Sequence, residues 1–417
     1  MRILYICRVF SGFETSLCNR SWEPTGAPTI YKIMEALDQS KNEIYFLMPC
    51  KGIGSEYQTK WNSPDDQIIR MSGLRLPVNV LASEARYPKW VGRLRGSLTA
   101  IRHLWSIFRI AVSFRPDFVY VDRSNVVAGA AIAYLLRIPV VLRIMGVYPS
   151  MWDTLSSKSL AARVMRWAYR APFTLVICTQ DGSGGEWWLP RVLRRGVSFH
   201  MLLNGRTEPV SNLVVDPRLA ALPQGRIITL FVGRFEAIKG CTEFAEAMLL
   251  LNNRGRRDLH AVMIGTGRLL ESVRKRVHEA EAETMFTFID RLQHTQIAAA
   301  YLRSDIYVSL NRLGQLSNAN LEAMSLGTCM VIPQAQPKEG IDIATDHLLS
   351  TEAVVRIPWD NQIDILADTI SSLAGDPNRR KKLSSHIKAF AKVRVQSWDK
   401  RIAQELDLIA KQIGRPI

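Results

Sequence analysis

The chain has 417 residues, 47% apolar and 22% charged, the balance of a folded globular protein rather than a disordered, collagen-like or disulfide-scaffold chain. Its length suits two domains of about 200 residues each. Lys and Arg number 54 against 38 Asp and Glu, a net charge of +16, so polyanions are natural partners: nucleic acid, an anionic membrane or phosphorylated small molecules. In chain order, the opening MRILYICRVF is apolar for too few residues before Arg8 to be a signal peptide, and reads as a first buried strand. Strands are predicted at Arg2–Cys7, Ile44–Met48, Phe118–Val121, Val140–Ile144 and Thr174–Cys178. A second series follows at Ile227–Val232, Leu259–Ile264, Phe286–Phe288, Ile306–Ser309 and Cys329–Ile332. Helical stretches alternate with them, which argues for parallel sheets wrapped by helices. The longest apolar run, Val126 to Leu136, stops at Arg137, well short of the roughly 20 residues of a spanning helix. The last stretch, Ser384–Ile413, reads as helical and basic.

The predicted fold class is therefore α/β, two Rossmann-like doubly wound domains facing across a cleft. Residues 1–205 form the first domain and 206–395 the second; 396–417 is a closing helix that can return to the first. Leu203–Leu222, with its Asn204-Gly205, Glu208-Pro209, Asp216-Pro217 and Leu222-Pro223 steps, reads as the linker. The six cysteines are widely spaced, without a CxxC pair, and are expected as free thiols of a reducing compartment. Open α/β sheets bind ligands in the loops after their strands, so chemistry is sought there.

Two segments of the second half carry most of it. In LFVGRFEAIKG, a strand runs into Gly233-Arg234, and Lys239-Gly240 follows just before a helix. Glycine allows a ligand close to the backbone, and the two cations suit a phosphate; a solvated basic loop is the bland alternative. In DIYVSLNRLGQLSNANLEAMSLGTCMVIP, Ser317 or Asn318 caps a helix whose free N–H groups suit a pyrophosphate, with Glu322 one turn in. Glu322 suits a ribose diol, although a solvent-facing helix residue is equally consistent with the pattern.

Together with Ile264-Gly-Thr-Gly267, these segments resemble the nucleotide-sugar domain of GT-B glycosyltransferases of family 4, the retaining "glycosyl transferases group 1" type. PTGAPTIYKIMEAL and DFVYVDRSNVVAGAAIAYLLRIPVVLRIMGVYP resemble the acceptor domain of the same fold, and Asn204-Gly205 the opening of its linker. The resemblance covers nearly the whole chain. It implies catalytic roles for Arg234, Lys239 and Glu322: two cations on the donor diphosphate, and a carboxylate on the ribose. It adds donor-binding positions at Gly26, Ala27, Gly233, Gly267, Arg291, Leu292, Gln315, Leu316, Ser317 and Asn318. It also implies no cofactor or metal, a UDP- or GDP-sugar as donor, and retention of configuration. Two positions depart from the family: Gly314 stands where a sugar-contacting Glu is usual, and Met145 where a His commonly precedes Gly146.

Charge singles out the first half, which carries 26 basic and 14 acidic side chains against 28 and 24 in residues 206–417. Between Arg86 and Arg115 there are seven Lys or Arg and no acid. Trp90, Leu94, Leu98, Ile101, Trp105, Phe108 and Val112 recur there at helical spacing, with Arg93, Arg95, Arg102 and Arg109 between them. A basic amphipathic helix with tryptophans suits an anionic bilayer surface, and the competing reading packs this stripe on its own sheet. A second basic region runs through Lys158, Arg163, Arg166 and Arg170 to Arg195. The expected acceptor is a lipid-linked or membrane-borne glycan, as in surface polysaccharide or lipopolysaccharide assembly. The expected location is cytoplasmic, peripheral on the inner face of the membrane. A soluble acceptor such as a natural product or phosphosugar is the alternative, as is a catalytically weakened nucleotide-binding homologue. A nucleic-acid binder is disfavoured, because aromatic–basic signatures and a helix-turn-helix are missing.

Overall fold

A computed structural model describes residues 1–50, 61–92, 94–207 and 213–417; Arg93 of the expected surface stripe and residues 208–212 of the expected linker lie outside them. The chain divides into two compact units. The first comprises Met1–Thr179, Trp187–Leu202 and Asp399–Ile417; the second comprises Gln180–Glu186 and Leu203–Trp398.

The first unit is built on eight strands: β1 (Arg2–Ile6), β2 (Glu43–Pro49), β3 (Gln67–Ile69), β4 (Val78–Leu81), β5 (Phe118–Asp122), β6 (Val140–Ile144), β7 (Leu175–Thr179) and β8 (Phe199–Leu202). They lie in the order β3-β4-β2-β1-β5-β6-β7-β8, parallel except for β3 against β4. Every residue of β5, β6 and β7 is buried, as expected when helices cover both faces of a parallel sheet. The five strands expected from sequence are present. β3, β4 and β8 were not anticipated, because three or four residues containing Gln67, Asn79 or His200 carry too little apolar pattern.

Arg143 is the exception within that core. It lies on β6, fully buried, 3.4 Å from Glu405 of the Trp398–Ile413 helix. Glu405 also accepts from Arg401 (2.8 Å) and from the Tyr120 hydroxyl (2.6 Å). Burial alone pushes the Glu405 carboxyl up, but Arg143 and Arg401 overcome it and hold it below the usual range. The basic tail is two helices, Pro377–Arg394 and Trp398–Ile413.

The Leu94–Phe114 helix packs Ile107 and Ala111 into the sheet, with Leu104, Ile110 and Phe114 beside them. Its sequence-predicted stripe faces the other way. Trp90 is 86% exposed, Leu94 and Ile101 65%, and Trp105 62%, with Leu98 and Val112 also exposed. Nearby, the Val126–Ala131 helix widens into a π turn, Ile132–Leu136, and stops at Arg137 with φ 55°. Among the described residues no helix is long and apolar enough to cross a membrane. All six cysteines are free thiols, five of them buried.

The second unit holds β9 (Ile227–Val232), β10 (Leu259–Ile264), β11 (Phe286–Ile289), β12 (Ile306–Val308), β13 (Met330–Pro333) and β14 (Val355–Ile357), all parallel, in the order β11-β10-β9-β12-β13-β14. The three-residue β14 is the addition to the predicted set. Helices cover both faces, with separate cores on the two sides of the sheet.

Candidate active site

The loops leaving β9, β10 and β12 converge at one end of the second sheet. After β9, the Gly233 N–H donates to the Ile264 carbonyl (3.0 Å) and the Phe235 N–H to the Thr266 carbonyl (2.9 Å). Gly265 and Gly267 make this stitching possible. A Cβ on Gly265 would lie 1.9 Å from the Gly233 oxygen, and one on Gly267 2.5 Å from the Phe235 oxygen. The IGTG sequence therefore holds the Arg234 loop in place by backbone contact. The loop after β12 is tied to it as well: the Arg312 N–H donates to the Ile238 carbonyl (2.9 Å).

Arg234 is exposed and 3.1 Å from Glu236. Lys239 ends the 3-10 turn Ala237–Lys239 and is half-buried. Burial, reinforced by Arg234, pushes its ammonium down to about 8, while Asp181 and Glu236 pull the other way. A cation held this way gains most when a diphosphate arrives, because the anion supplies the counter-charge its surroundings withhold.

The Asn318–Leu326 helix follows β12, with Ser317 as N-cap accepting from the Asn320 N–H. Ser317 and Asn318 thus stand at a helix N-terminus, and the Asn318 side chain accepts from Asn204 (2.6 Å). Glu322 is half-buried near Tyr301 and Tyr307, and burial raises its carboxyl to about 7. Gln315 and Leu316 are wholly buried, so their side chains brace the loop. Gln315 bridges Ser309, Asn311 and Asn320, and its N–H and that of Leu316 are committed to Asp342 and the Asp181 carbonyl. Arg291 is exposed just after β11, and Leu292 packs against the core. Gly26 and Ala27 belong to the first unit, where the Thr25 N–H bonds the Gly12 carbonyl (2.8 Å) just before the Pro28–Gln39 helix.

Two carboxylates of this region were not anticipated. Asp181 and Asp342 come from segments without a motif, and only folding brings both to the Gly314–Gln315 backbone and Asp181 within electrostatic reach of Lys239. Asp181 is raised to about 6 by burial, against hydrogen bonds from Ser183. Asp342 is raised to about 7 by burial; its Oδ1 accepts from Gln315 and Thr345, while Oδ2 is buried without a hydrogen-bond partner. The backbone that carries Asp181 also accounts for Gly314. With φ +108°, a Cβ there would sit 2.3 Å from the Asp181 oxygen, 2.5 Å from the Gly182 carbon and 2.7 Å from the Ser183 nitrogen. No side chain fits at that position while the Gln180–Glu186 segment is packed against it. Among the described residues, no group of three or more His, Cys, Asp or Glu is arranged to hold a metal ion.

Two parallel Rossmann-like sheets, the second with its phosphate-suited loops at one end, define the GT-B class of glycosyltransferase. Residues 217–390, which include Arg234, Lys239 and Glu322, match the family model described as Glycosyl transferases group 1. The chain is a glycosyltransferase, and that region is its group 1 domain. No curated protein matches it. Among solved structures it is similar to sucrose-phosphate synthase from Thermosynechococcus elongatus (15% identity, 99% of each chain covered, TM-score 0.70). It is also similar to Anabaena HepE in complex with UDP (15% identity, 99% of this chain and 100% of that one, TM-score 0.65). A third similar structure is the E. coli trehalose-6-phosphate protein bound with UDP-2-fluoro glucose (10% identity, 99% of each chain, TM-score 0.66). At these identities the likeness concerns the fold.

Proposed function

We propose that the protein transfers a sugar, with retention of configuration, from a nucleotide-diphosphate donor to a lipid-linked or membrane-borne glycan. It works as a peripheral protein on the inner face of the cytoplasmic membrane, in surface-polysaccharide or lipopolysaccharide assembly. Arg234 and Lys239, rather than a bound metal, meet the charge that develops on the departing nucleotide, and Glu322 holds the ribose. The Anabaena HepE complexes with UDP and with UDP-glucose support a uridine nucleotide as the donor base.

The observation that carries the acceptor assignment is the outward stripe of the Leu94–Phe114 helix. Apolar side chains at 94, 98, 101, 105 and 112 are exposed, with Trp90 ahead of them, and arginines flank them. A helix that has already satisfied its sheet with Ile107 and Ala111 gains nothing intramolecular from a second apolar face. Two of the flanking arginines are partly engaged, Arg102 with Asp66 and Arg95 with the Glu84 carbonyl, and Arg109 is exposed. The fold shared with sucrose-phosphate synthase favours a second reading, a soluble phosphosugar acceptor. Combining Ile101→Asp with Trp105→Ala separates the two. Because both sites are exposed, stability should change by no more than about 0.5 kcal/mol per site, while sedimentation with anionic vesicles falls severalfold. Unchanged vesicle binding would remove the membrane assignment and favour the soluble acceptor.

A further inference from the structure

A second feature of the first unit has no part in the donor site. The Leu160–Tyr169 helix, capped by Ser159, carries Arg163 and Arg166, with Arg170 just beyond its end and Lys158 before it. These four cations, with Tyr134 and Trp167, line a cavity of about 660 Å³. Tyr134 reaches it from the π turn Ile132–Leu136; its ring stacks on Trp167 (5.3 Å between centroids, 23°) and its hydroxyl donates to the Arg170 carbonyl (2.9 Å). Arg166 is braced on the Ser157 carbonyl (2.7 Å).

None of the four cations meets a carboxylate among the described residues, and the sequence has no Asp or Glu between Asp153 and Asp181. Several surface arginines elsewhere are paired: Arg218 with Asp216, Arg256 with Asp258, Arg276 with Glu246 and Arg312 with Glu243. Four like charges around one cavity repel each other, and a multiply charged anion removes that cost. Three of them are guanidinium forks, which suit phosphate oxygens. The two elements that line the cavity also carry exposed apolar groups: Leu135 is 70% exposed, Leu160 74%, and Val164 and the lining Trp167 are exposed as well. A free anion does not need those apolar groups, whereas a lipid phosphate at headgroup depth does.

We propose that this cavity is a headgroup site for a membrane lipid bearing a phosphomonoester or diphosphate, distinct from the donor diphosphate site of the second unit. The proposal rests on the membrane reading above and adds selectivity to it: the Leu94–Phe114 stripe supplies adhesion, and this cavity selects the doubly charged phosphate.

The test is sedimentation of the full chain with phosphatidylcholine vesicles doped with phosphatidic acid, a phosphomonoester, or with phosphatidylglycerol, a diester, at matched surface charge. The wild type should bind the phosphatidic acid vesicles about tenfold more tightly. Arg163→Gln with Arg170→Gln should abolish that preference, keep phosphatidylglycerol binding and leave the melting temperature unchanged. Ile101→Asp with Trp105→Ala should weaken both equally. Equal affinity of the wild type for both vesicles, or a preference that survives the arginine double variant, overturns the site. If neither vesicle binds, the membrane reading fails. Calorimetry with inorganic pyrophosphate on an Arg234→Ala, Lys239→Ala background, with and without the arginine double change, then reads the cavity. Binding that the arginine double variant removes overturns the lipid assignment only, and no binding overturns the cavity as an anion site.

Discussion

Asp342 and Lys239 are titratable groups whose surroundings oppose their charge, and each makes a pH prediction. Asp342 is held up to about 7 in the fold against about 3.8 in the unfolded chain. Between those values the folded state binds more protons, so this group's contribution is favourable in acid and is lost as pH rises through about 7. The full difference is at most about 4 kcal/mol. Asp342→Asn should therefore flatten the decline in melting temperature between pH 5 and pH 8, as measured by thermal unfolding against wild type. An unchanged slope would show that Asp342 is ionised in the fold. In the proposed reaction Lys239 must be charged to meet the diphosphate, and its position near 8 predicts that kcat/KM for the donor falls as pH rises through about 8. Asp181 supports the charged form, so Asp181→Asn should move that alkaline limb to lower pH; a limb that stays in place would separate Asp181 from the site. Lys239→Ala should abolish most turnover with little loss of stability, since it removes charge needed mainly in the transition state. At this scale the motifs that carry Arg234, Lys239 and Glu322 were legible, because each is contiguous in the chain. Asp181 and Asp342 were not legible, since they lie 161 positions apart and neither sits in a patterned segment. The meaning of Gly314 also needed the fold, because its neighbour is backbone from residues 181–183.

The elements divide in the same way. Long apolar strands such as β9 and β10 were readable to the residue, while β3, β4, β8 and β14 are too short for a period to register. The Leu94–Phe114 helix shows the limit of periodicity most directly. Its stripe was visible in the sequence, but a period does not say which way a face points. Ile107, Ala111, Leu104 and Phe114 provide a second apolar face, and that one meets the sheet. The Trp398–Ile413 helix is secured differently, through Glu405 between Arg143, Arg401 and Tyr120. Removing the shared carboxylate leaves two buried arginines without a counter-charge. Glu405→Ala should cost about 3–5 kcal/mol by chemical denaturation, and a loss under about 1 kcal/mol would mean that the helix is held by packing alone.

For the whole molecule, two Rossmann-like units and a group 1 domain make a glycosyltransferase. The charge asymmetry between the halves places most of the net positive charge in residues 1–205. The fold class was legible because alternation of strand and helix persists through both halves, and because the donor motifs keep their order. What the sequence did not show was that Gln180–Glu186 belongs to the second unit, an assignment made by contacts rather than by composition, whereas the return of the closing helix to the first, Asp399–Ile417, was among its expectations. The central claim is that Arg234, Lys239 and Glu322 form the site of a nucleotide-diphosphate donor. Calorimetric titration with UDP, GDP, ADP and CMP tests it most directly, on the wild type and on Glu322→Ala. The account predicts that one nucleoside diphosphate, UDP foremost, binds the wild type at micromolar concentration and at least tenfold more weakly to the variant, a loss of about 1.4 kcal/mol or more. No binding by any of the four, or equal binding by both proteins, would contradict it.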